Sequence, residues 1–477
     1  MVSNKPGHVH LVAVCGVGMA PLAVMLERAG WRVTGSDAGV FPPMSDVLAK
    51  AGIEVNLGFS AERFDASPPD FVIVGNAVTK ANVEAMAVER LGLRRMSFPQ
   101  ALGELFLEGH LSLVVAGTHG KTTTSGMLAV ALEAAGQKPG YLIGGLISDL
   151  GEFARGGSGG YFVVEGDEYD SAYFDKRPKF VHYRPSAAIL TSVEFDHADI
   201  YRDLDAVRAA FAALVRLVGA GPLVACGDHA EVRGVIAEAV KPITYGFGAD
   251  NQWVASDLRN GKEGVEFAAT FRGKREAIVT LRLFGEMNVA NALAVYALCR
   301  ELGVDERGVR AGLSRYRGAA RRQELIGEAA GITVVDDFAH HPTAIEETIA
   351  AIRGRFPGRS VRAVFEPRSN TSRRAVFQSR FAEALANADA VAVSAVYAKE
   401  NDPLRAEEML STDRLVSDLR ASGVDAWAAS GPDDILERLS RDIATGEVVL
   451  CMSNGSFANL PRRLLARLRE RVAGAAV

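Results

Sequence analysis

Short apolar runs alternate along this chain with stretches whose apolar residues recur every three or four positions. "HLVAVCGVG" is a run of the first kind and ends in glycines; "MAPLAVMLERAG" has helical spacing and stops at Gly30. "WRVTGSD" and "FVIVGNA" read as further strands. The pattern restarts near residue 108, where "LSLVVAG" predicts a strand and "TTTSGMLAVALEAAG" a helix closing at Gly136. "GYFVVEGDE" and "AAILTSVEFDH" predict apolar strands that each end in acids. Over about 245–285 the pattern turns antiparallel, as in "EGVEFAATF" and "EAIVTLRLFG", and the helix "NVANALAVYALCRELG" follows. "GAARRQELIGEAAGITVVDDFAHHP" opens a third unit with strands "VRAVFEP", "AVAVSAV" and "EVVLCMSNG". Strands alternating with helices imply parallel sheets covered on both faces, so the expected class is α/β, in three domains spanning 1–107, 108–320 and 321–477.

The length of 477 residues fits three domains, and 48% apolar residues can fill their cores. Lys plus Arg number 53 and Asp plus Glu 58, a net charge of −5, which is no nucleic-acid footprint. A mildly acidic chain that binds phosphates must do so locally. Cys15, Cys226, Cys299 and Cys451 are far apart, so neither a zinc motif nor a disulfide framework is indicated. "MVSNKPGHVH" lacks a secretory pattern, and no apolar run approaches the roughly 20 residues of a membrane span. The expectation is a cytoplasmic protein without a membrane partner.

The densest chemistry is "AGTHGKTTT". The strict phosphate-loop pattern fails, because its first glycine falls on Val115. The physics survives with Gly117, Thr118, His119, Gly120, Lys121, Thr122 and Thr123. A strand delivers the chain into a glycine turn, and the next helix offers its positive N-terminus to phosphates. Lys121 can reach β- and γ-phosphates, and the Thr122 hydroxyl can hold Mg²⁺. The plain alternative is a strand–turn–helix corner with an exposed lysine.

Two acid clusters follow. "VVEGDEYD" carries Glu165, Asp167, Glu168 and Asp170; "VEFDHAD" carries Glu194, Asp196, His197 and Asp199. Strand ends are where open α/β sheets bind ligands, and carboxylates suit Mg²⁺, though such acids can also be solvated turn residues. Asn288 and Asn291 stand three apart at a helix start, a spacing that shares a face and also suits capping. Arg321 and Arg322 could neutralise a transferring phosphoryl group, or form a solvated pair at a domain joint. At the N-terminus Gly16, Val17, Gly18 and Met19 form a damaged dinucleotide fingerprint, with Pro21 at the third glycine's place and Asp37 where a ribose-binding acid belongs. The turn suits any diphosphate, a nicotinamide dinucleotide included, or none. Asn76 lies at a later strand end on the same crevice.

"GTHGKTTT" resembles the ATP loop of the Mur ligase superfamily, whose members join a carboxylate to an amine through an acyl phosphate. The resemblance spans nearly the whole chain. It implies a Rossmann-like UDP-sugar domain over 1–107, a central phosphate-loop ATPase domain over 108–320, and a Rossmann-like amine-binding domain over 321–477. It implies that Glu168 and His197 hold metal with Thr122, that Asn288 touches adenine, and that the N-terminal turn holds UDP with Asp37 near the uridine. It places Arg322 on the phosphates, Asp337 on the ribose and His340 or His341 at the nucleotide's edge; Lys121, His197 and Arg322 become the catalytic set. Two departures stand out. The helix "LDAVRAAFAALVRLV" has no lysine where many members carry a carbamylated one, and Met287 precedes Asn288 where relatives often have His.

"GDEYDSAYFDKRPKFVHYRP", "DDFAHHPTAI", "FEPRSNT" and "MSNGSF" are most similar to the branch that attaches L-Ala-γ-D-Glu-meso-diaminopimelate to UDP-N-acetylmuramate in peptidoglycan recycling. Arg368, Asn370 and Thr371 then suit the peptide's carboxylates. The resemblance thus implies ATP and Mg²⁺, small-molecule partners only, and a monomer or weak homodimer. The branch adding L-alanine alone is the nearest alternative. A non-catalytic nucleotide-binding regulator, an NAD-dependent oxidoreductase and a folate-type polyglutamate ligase are more remote.

Overall fold

The computed structural model describes residues 6–198, 200–398 and 404–475; Asp199 lies outside them. Three sheets organise these residues. The first is fully parallel, with strands in the order Val55–Leu57, Arg32–Asp37, His8–Val12, Phe71–Val74 and Arg95–Ser97. Its order reverses beside His8–Val12, and the glycine turn leaves the C-terminal end of that strand. Such a switch point is where doubly wound sheets hold ligands.

The central sheet has ten strands. Leu111–Ala116 lies in its parallel part, between Ala187–Leu190 and Tyr161–Gly166. Antiparallel pairing is confined to Trp253–Asn260, Val265–Phe271 and Lys274–Leu281, and to the edge strand Ala154–Arg155. The antiparallel region therefore starts later than the sequence predicts, since Pro242–Gly246 pairs parallel on both sides. The run "AAILTSVEFDH" also divides: only Ala187–Leu190 is strand, and its acids sit in irregular chain beyond it. Thr191 N–H still donates to Ala116 O, but Ser192 O accepts Thr118 N–H and both hydroxyls bond His119, so the chain turns from the ladder to the phosphate loop.

The helix Lys121–Ala134 is buried from Thr122 to Leu132, wedged between the sheet and the helices Glu286–Glu301 and Glu306–Arg315. Close approach requires small residues here. A Cβ on Gly312 would lie 2.5 Å from Ala131 Cα, and one on Gly308 2.5 Å from Ala135 Cα. A helix apolar on all sides is a core helix, so the phosphate loop stands on a rigid support.

The third sheet has six strands in the order Glu324–Ala329, Ile332–Asp337, Val448–Met452, Val361–Phe365, Ala390–Ser394 and Asp425–Ala429. Only the first is antiparallel. One apolar cluster runs from Val9 and Leu26 through Phe98 and Leu102 to Phe180 and Val215, joining the first and central units. The third unit has separate clusters on its two faces. It meets the centre where Ala351, on the helix Pro342–Arg355, packs onto Gly285. No described helix is long and apolar enough to cross a membrane.

Candidate active site

The ends of the central strands enclose a cavity of about 620 Å³ reached by all three units. Gly117 and Gly120 have φ of +133° and +82°, values that favour glycine. The loop between them is bonded to its neighbour rather than to itself. Thr118 N–H donates to Ser192 O at 3.1 Å and His119 N–H to Ser192 Oγ at 2.9 Å. Glu194 N–H donates to Thr118 Oγ1 at 2.9 Å.

Lys121 folds back across the loop. Its Nζ donates to Gly117 O at 2.7 Å and to Glu168 Oε2 at 3.0 Å. Burial alone would depress this ammonium, but the Glu168 and Asp167 charges outweigh burial and hold it above the usual lysine range. Glu168 also faces His197, Oε1 to Nε2 at 3.3 Å, and is held below the usual carboxylate range against its burial, chiefly by Lys121. His197 has φ of +51°, and its pKa is raised, Glu168 overcoming its burial.

Thr122 Oγ1 donates to Glu165 Oε2 at 3.2 Å, not to Glu168. Arg322 Nη2 approaches the same hydroxyl from the third unit at 3.4 Å, over the Phe338 ring. Burial lowers the Arg322 pKa. Its neighbour Arg321 turns away, donating to Ser453 O at 2.6 Å. Thr122, Glu165, Glu168 and His197 thus ring Lys121 with oxygen donors and one imidazole. That donor set fits a hard divalent cation.

Other sequence-based candidates divide into those that line the cavity and those that do not. Val17, Gly18, Thr118, His119, Gly120, Thr123, Asn288, Asp337, His340, His341, Asn370 and Thr371 line it. Asn288 is buried and donates to Phe284 O at 2.7 Å. Asp337 accepts Gln323 N–H and Ala339 N–H, both at 2.7 Å, which fixes its carboxylate at the turn between them. Asp37 is similarly occupied, accepting Cys15 N–H at 2.8 Å and Gly39 N–H at 3.0 Å. It braces the glycine turn, while Gly16 shapes the turn, buried Met19 starts its helix and Asn76 stands exposed at the same sheet edge. Arg368 lies outside the cavity wall, stacked 3.8 Å from the Tyr397 ring centre and 3.7 Å from Glu366.

Sequence reasoning missed Lys179. Its ammonium donates to Asp167 at 2.8 Å and to Tyr169 at 2.9 Å, 4.2 Å from the Tyr169 ring centre. Asp167 and the other nearby anions keep it raised despite burial. The signal was faint, because Lys179 belongs to "KRPK", whose Lys176 and Arg177 are exposed. Glu165 was visible as an acid, but its pairing with Thr122 was not. Across the domain joint, the His119 and His341 rings lie tilted by 41° with centres 4.6 Å apart beside Glu194. Burial, then the His119 charge, pushes His341 down to about 4.

Three α/β units meeting at one phosphate-loop cavity make the framework of an ATP-dependent ligase, and comparison with known proteins agrees. Residues 8–110 match the Mur ligase family catalytic domain, 115–299 the Mur ligase middle domain and 321–455 the Mur ligase glutamate ligase domain. The UDP-N-acetylmuramate–L-alanyl-γ-D-glutamyl-meso-2,6-diaminoheptandioate ligase of Escherichia coli K12 is 38% identical, over 98% of this chain and 99% of its own. A UDP-N-acetylmuramate–L-alanine ligase of Kineococcus radiotolerans is also 38% identical, over 98% and 97%. The crystal structure of a murein peptide ligase from Psychrobacter arcticus superposes with a TM-score of 0.73 at 34% identity, covering 97% of this chain and 98% of that one. The chain belongs to the Mur ligase family and is an ATP-dependent ligase.

Proposed function

We propose that this enzyme joins the amine of L-Ala-γ-D-Glu-meso-diaminopimelate to the lactyl carboxylate of UDP-N-acetylmuramate, driven by ATP, in peptidoglycan recycling. One observation carries the reading: a single cavity runs from Val17 and Gly18 past Lys121 to Asn370 and Asn454. A sugar nucleotide seated on the N-terminal turn would point its carboxylate at the phosphate loop. An amine held by the third unit would approach the same carbon.

The chain's own groups do positioning and charge neutralisation. Lys121 and Arg322 flank the γ-phosphate position, with Phe338 supporting the arginine. Thr122, Glu165, Glu168 and His197 would hold Mg²⁺, which when bound neutralises phosphate charge. The carboxylate oxygen takes the γ-phosphoryl group as its bond to the β-phosphate breaks and ADP is released, turning a poor leaving group into a good one. The peptide amine then attacks the acyl carbon, and phosphate departs. Asn288 and Asp337 lie at the nucleoside end. Ser369, Asn370, Thr371 and Asn454 offer the polar lining a peptide with several carboxylates needs, with Arg368 one residue behind them.

A second reading has specific support, because the alanine ligase of Kineococcus radiotolerans shares the same 38% identity. Phosphate release with ATP, Mg²⁺ and UDP-N-acetylmuramate separates the two. Turnover with the tripeptide and little with L-alanine is expected. The reverse preference would assign the chain to alanine addition and leave the acyl-phosphate chemistry standing.

A further inference from the structure

His119, Glu194 and His341 form a cluster that this mechanism leaves unused. It straddles the joint: His119 and Glu194 belong to the central unit, and His341 starts the helix Pro342–Arg355 of the third. Glu194 Oε2 lies 3.7 Å from His119 Nε2 and 3.8 Å from His341 Nδ1. Neither distance is a hydrogen bond, and both ring nitrogens are buried without a hydrogen-bond partner among the described residues. His341 as a whole is only 5% exposed.

The outer contacts fix what these atoms can do. His341 Nε2 lies 3.3 Å from Phe195 O. A carbonyl oxygen only accepts, so Nε2 carries the proton and Nδ1 presents its lone pair to Glu194. Thr343 Oγ1 donates to Glu194 Oε2 at 2.7 Å and holds that carboxylate in place. An imidazole anchored by its far nitrogen on a backbone carbonyl, beside a hydrogen-bonded carboxylate, is the outer shell that metal-ligating residues carry. Two imidazoles and one carboxylate are also a common zinc donor set. Ligands about 2.1 Å from a tetrahedral ion are roughly 3.4 Å apart; the two edges to Glu194, at 3.7 and 3.8 Å, are within a few tenths of an ångström of that, and all three donor atoms lie within 4.8 Å of one another.

We propose that His119, Glu194 and His341 bind one divalent transition-metal ion of the zinc type, distinct from the magnesium position at Thr122 and Glu168. Two nitrogen donors select against Mg²⁺, which prefers oxygen. Because the ligands come from two units, an ion here pins the third unit onto the phosphate loop. All three residues line the shared cavity.

The test is titration of the full-length, metal-stripped protein with Co²⁺, read by visible absorption. One equivalent with the intense bands of a four-coordinate ion is expected, displaced by Zn²⁺. His341→Gln and His119→Gln should each lose it, whereas His197→Gln, at the magnesium position, should keep it. Thr343→Val leaves all three ligands in place and should weaken binding by about tenfold, which keeps the test decisive if a histidine variant unfolds. Zn²⁺ should also slow hydrogen exchange in residues 117–120 and in Pro342–Arg355 together. Weak six-coordinate bands only, retention of the intense bands in His341→Gln, or their loss in His197→Gln would overturn the proposal.

Discussion

Lys121 is buried against Glu168 and Asp167 and donates to Gly117 O, so its ammonium is aimed before any phosphate arrives. Removing it takes from Glu168 its nearest ammonium, at 3.0 Å, and leaves Asp167 to Lys179 alone. Lys121→Ala is expected to lower kcat by roughly a thousandfold, the order seen when one preorganised charge is lost; near-normal phosphate release would remove the lysine from the mechanism. His341 carries a pH signature. Its folded pKa of about 4 lies below the 6.5 of an unfolded histidine. Between those values the unfolded chain takes up a proton that the folded chain refuses, so stability falls as pH drops from 6.5 to 4. The loss approaches about 3 kcal/mol. His119, held raised by Glu194, works in the opposite sense. His341→Gln should flatten the acid-side fall in denaturation free energy; an unchanged slope would contradict the assignment. The sequence named Lys121 because a lysine between a glycine turn and a helix has few other uses. It could not name Lys179, whose burial depends on Asp167 and Tyr169 folding over it.

The phosphate loop is an element in which conformation and packing agree. Gly117 needs a φ of +133°, and an added Cβ would overlap Thr191 Oγ1 and sit 2.8 Å from Ser192 N. Gly117→Ala should therefore push the loop off Thr191 and Ser192. We expect a loss of about 2 kcal/mol in stability and a still larger loss of ATP affinity, checked by denaturation and by nucleotide binding in one preparation. Normal ATP binding would show that the turn tolerates the shift. Alternating apolar runs and helical spacing made the strand–turn–helix legible. The ends of elements were less so. Ala187–Leu190 stops four residues earlier than Glu194 because Ser192 O and the Thr191 and Ser192 hydroxyls bond the loop, a long-range effect no local pattern carries. Asp37 was read as an acid near the uridine and Asp337 as a ribose contact; both accept backbone N–H groups and so brace the turns they stand on.

At the scale of the whole molecule, the three units have separate sheets but one shared cavity. The first and central units share an apolar cluster. The third touches the centre where Ala351 packs on Gly285 and Phe377 stacks near Phe195, and through polar groups: Arg322 on Thr122, Thr343 on Glu194, His341 on Phe195 O. Three domains were legible from where the alternation of strands and helices restarts. How the third unit meets the phosphate loop was not, because those contacts join residues up to 200 positions apart. The central claim is that the sugar's carboxylate reaches the γ-phosphate inside this cavity before the amine attacks. The direct measurement labels both carboxylate oxygens of UDP-N-acetylmuramate with ¹⁸O and follows phosphate released in the presence of ATP, Mg²⁺ and the tripeptide. One ¹⁸O in each phosphate is expected, carried over from the carboxylate through the acyl phosphate. Unlabelled phosphate would contradict the account, since it would mean that water, not the sugar's carboxylate, receives the phosphoryl group.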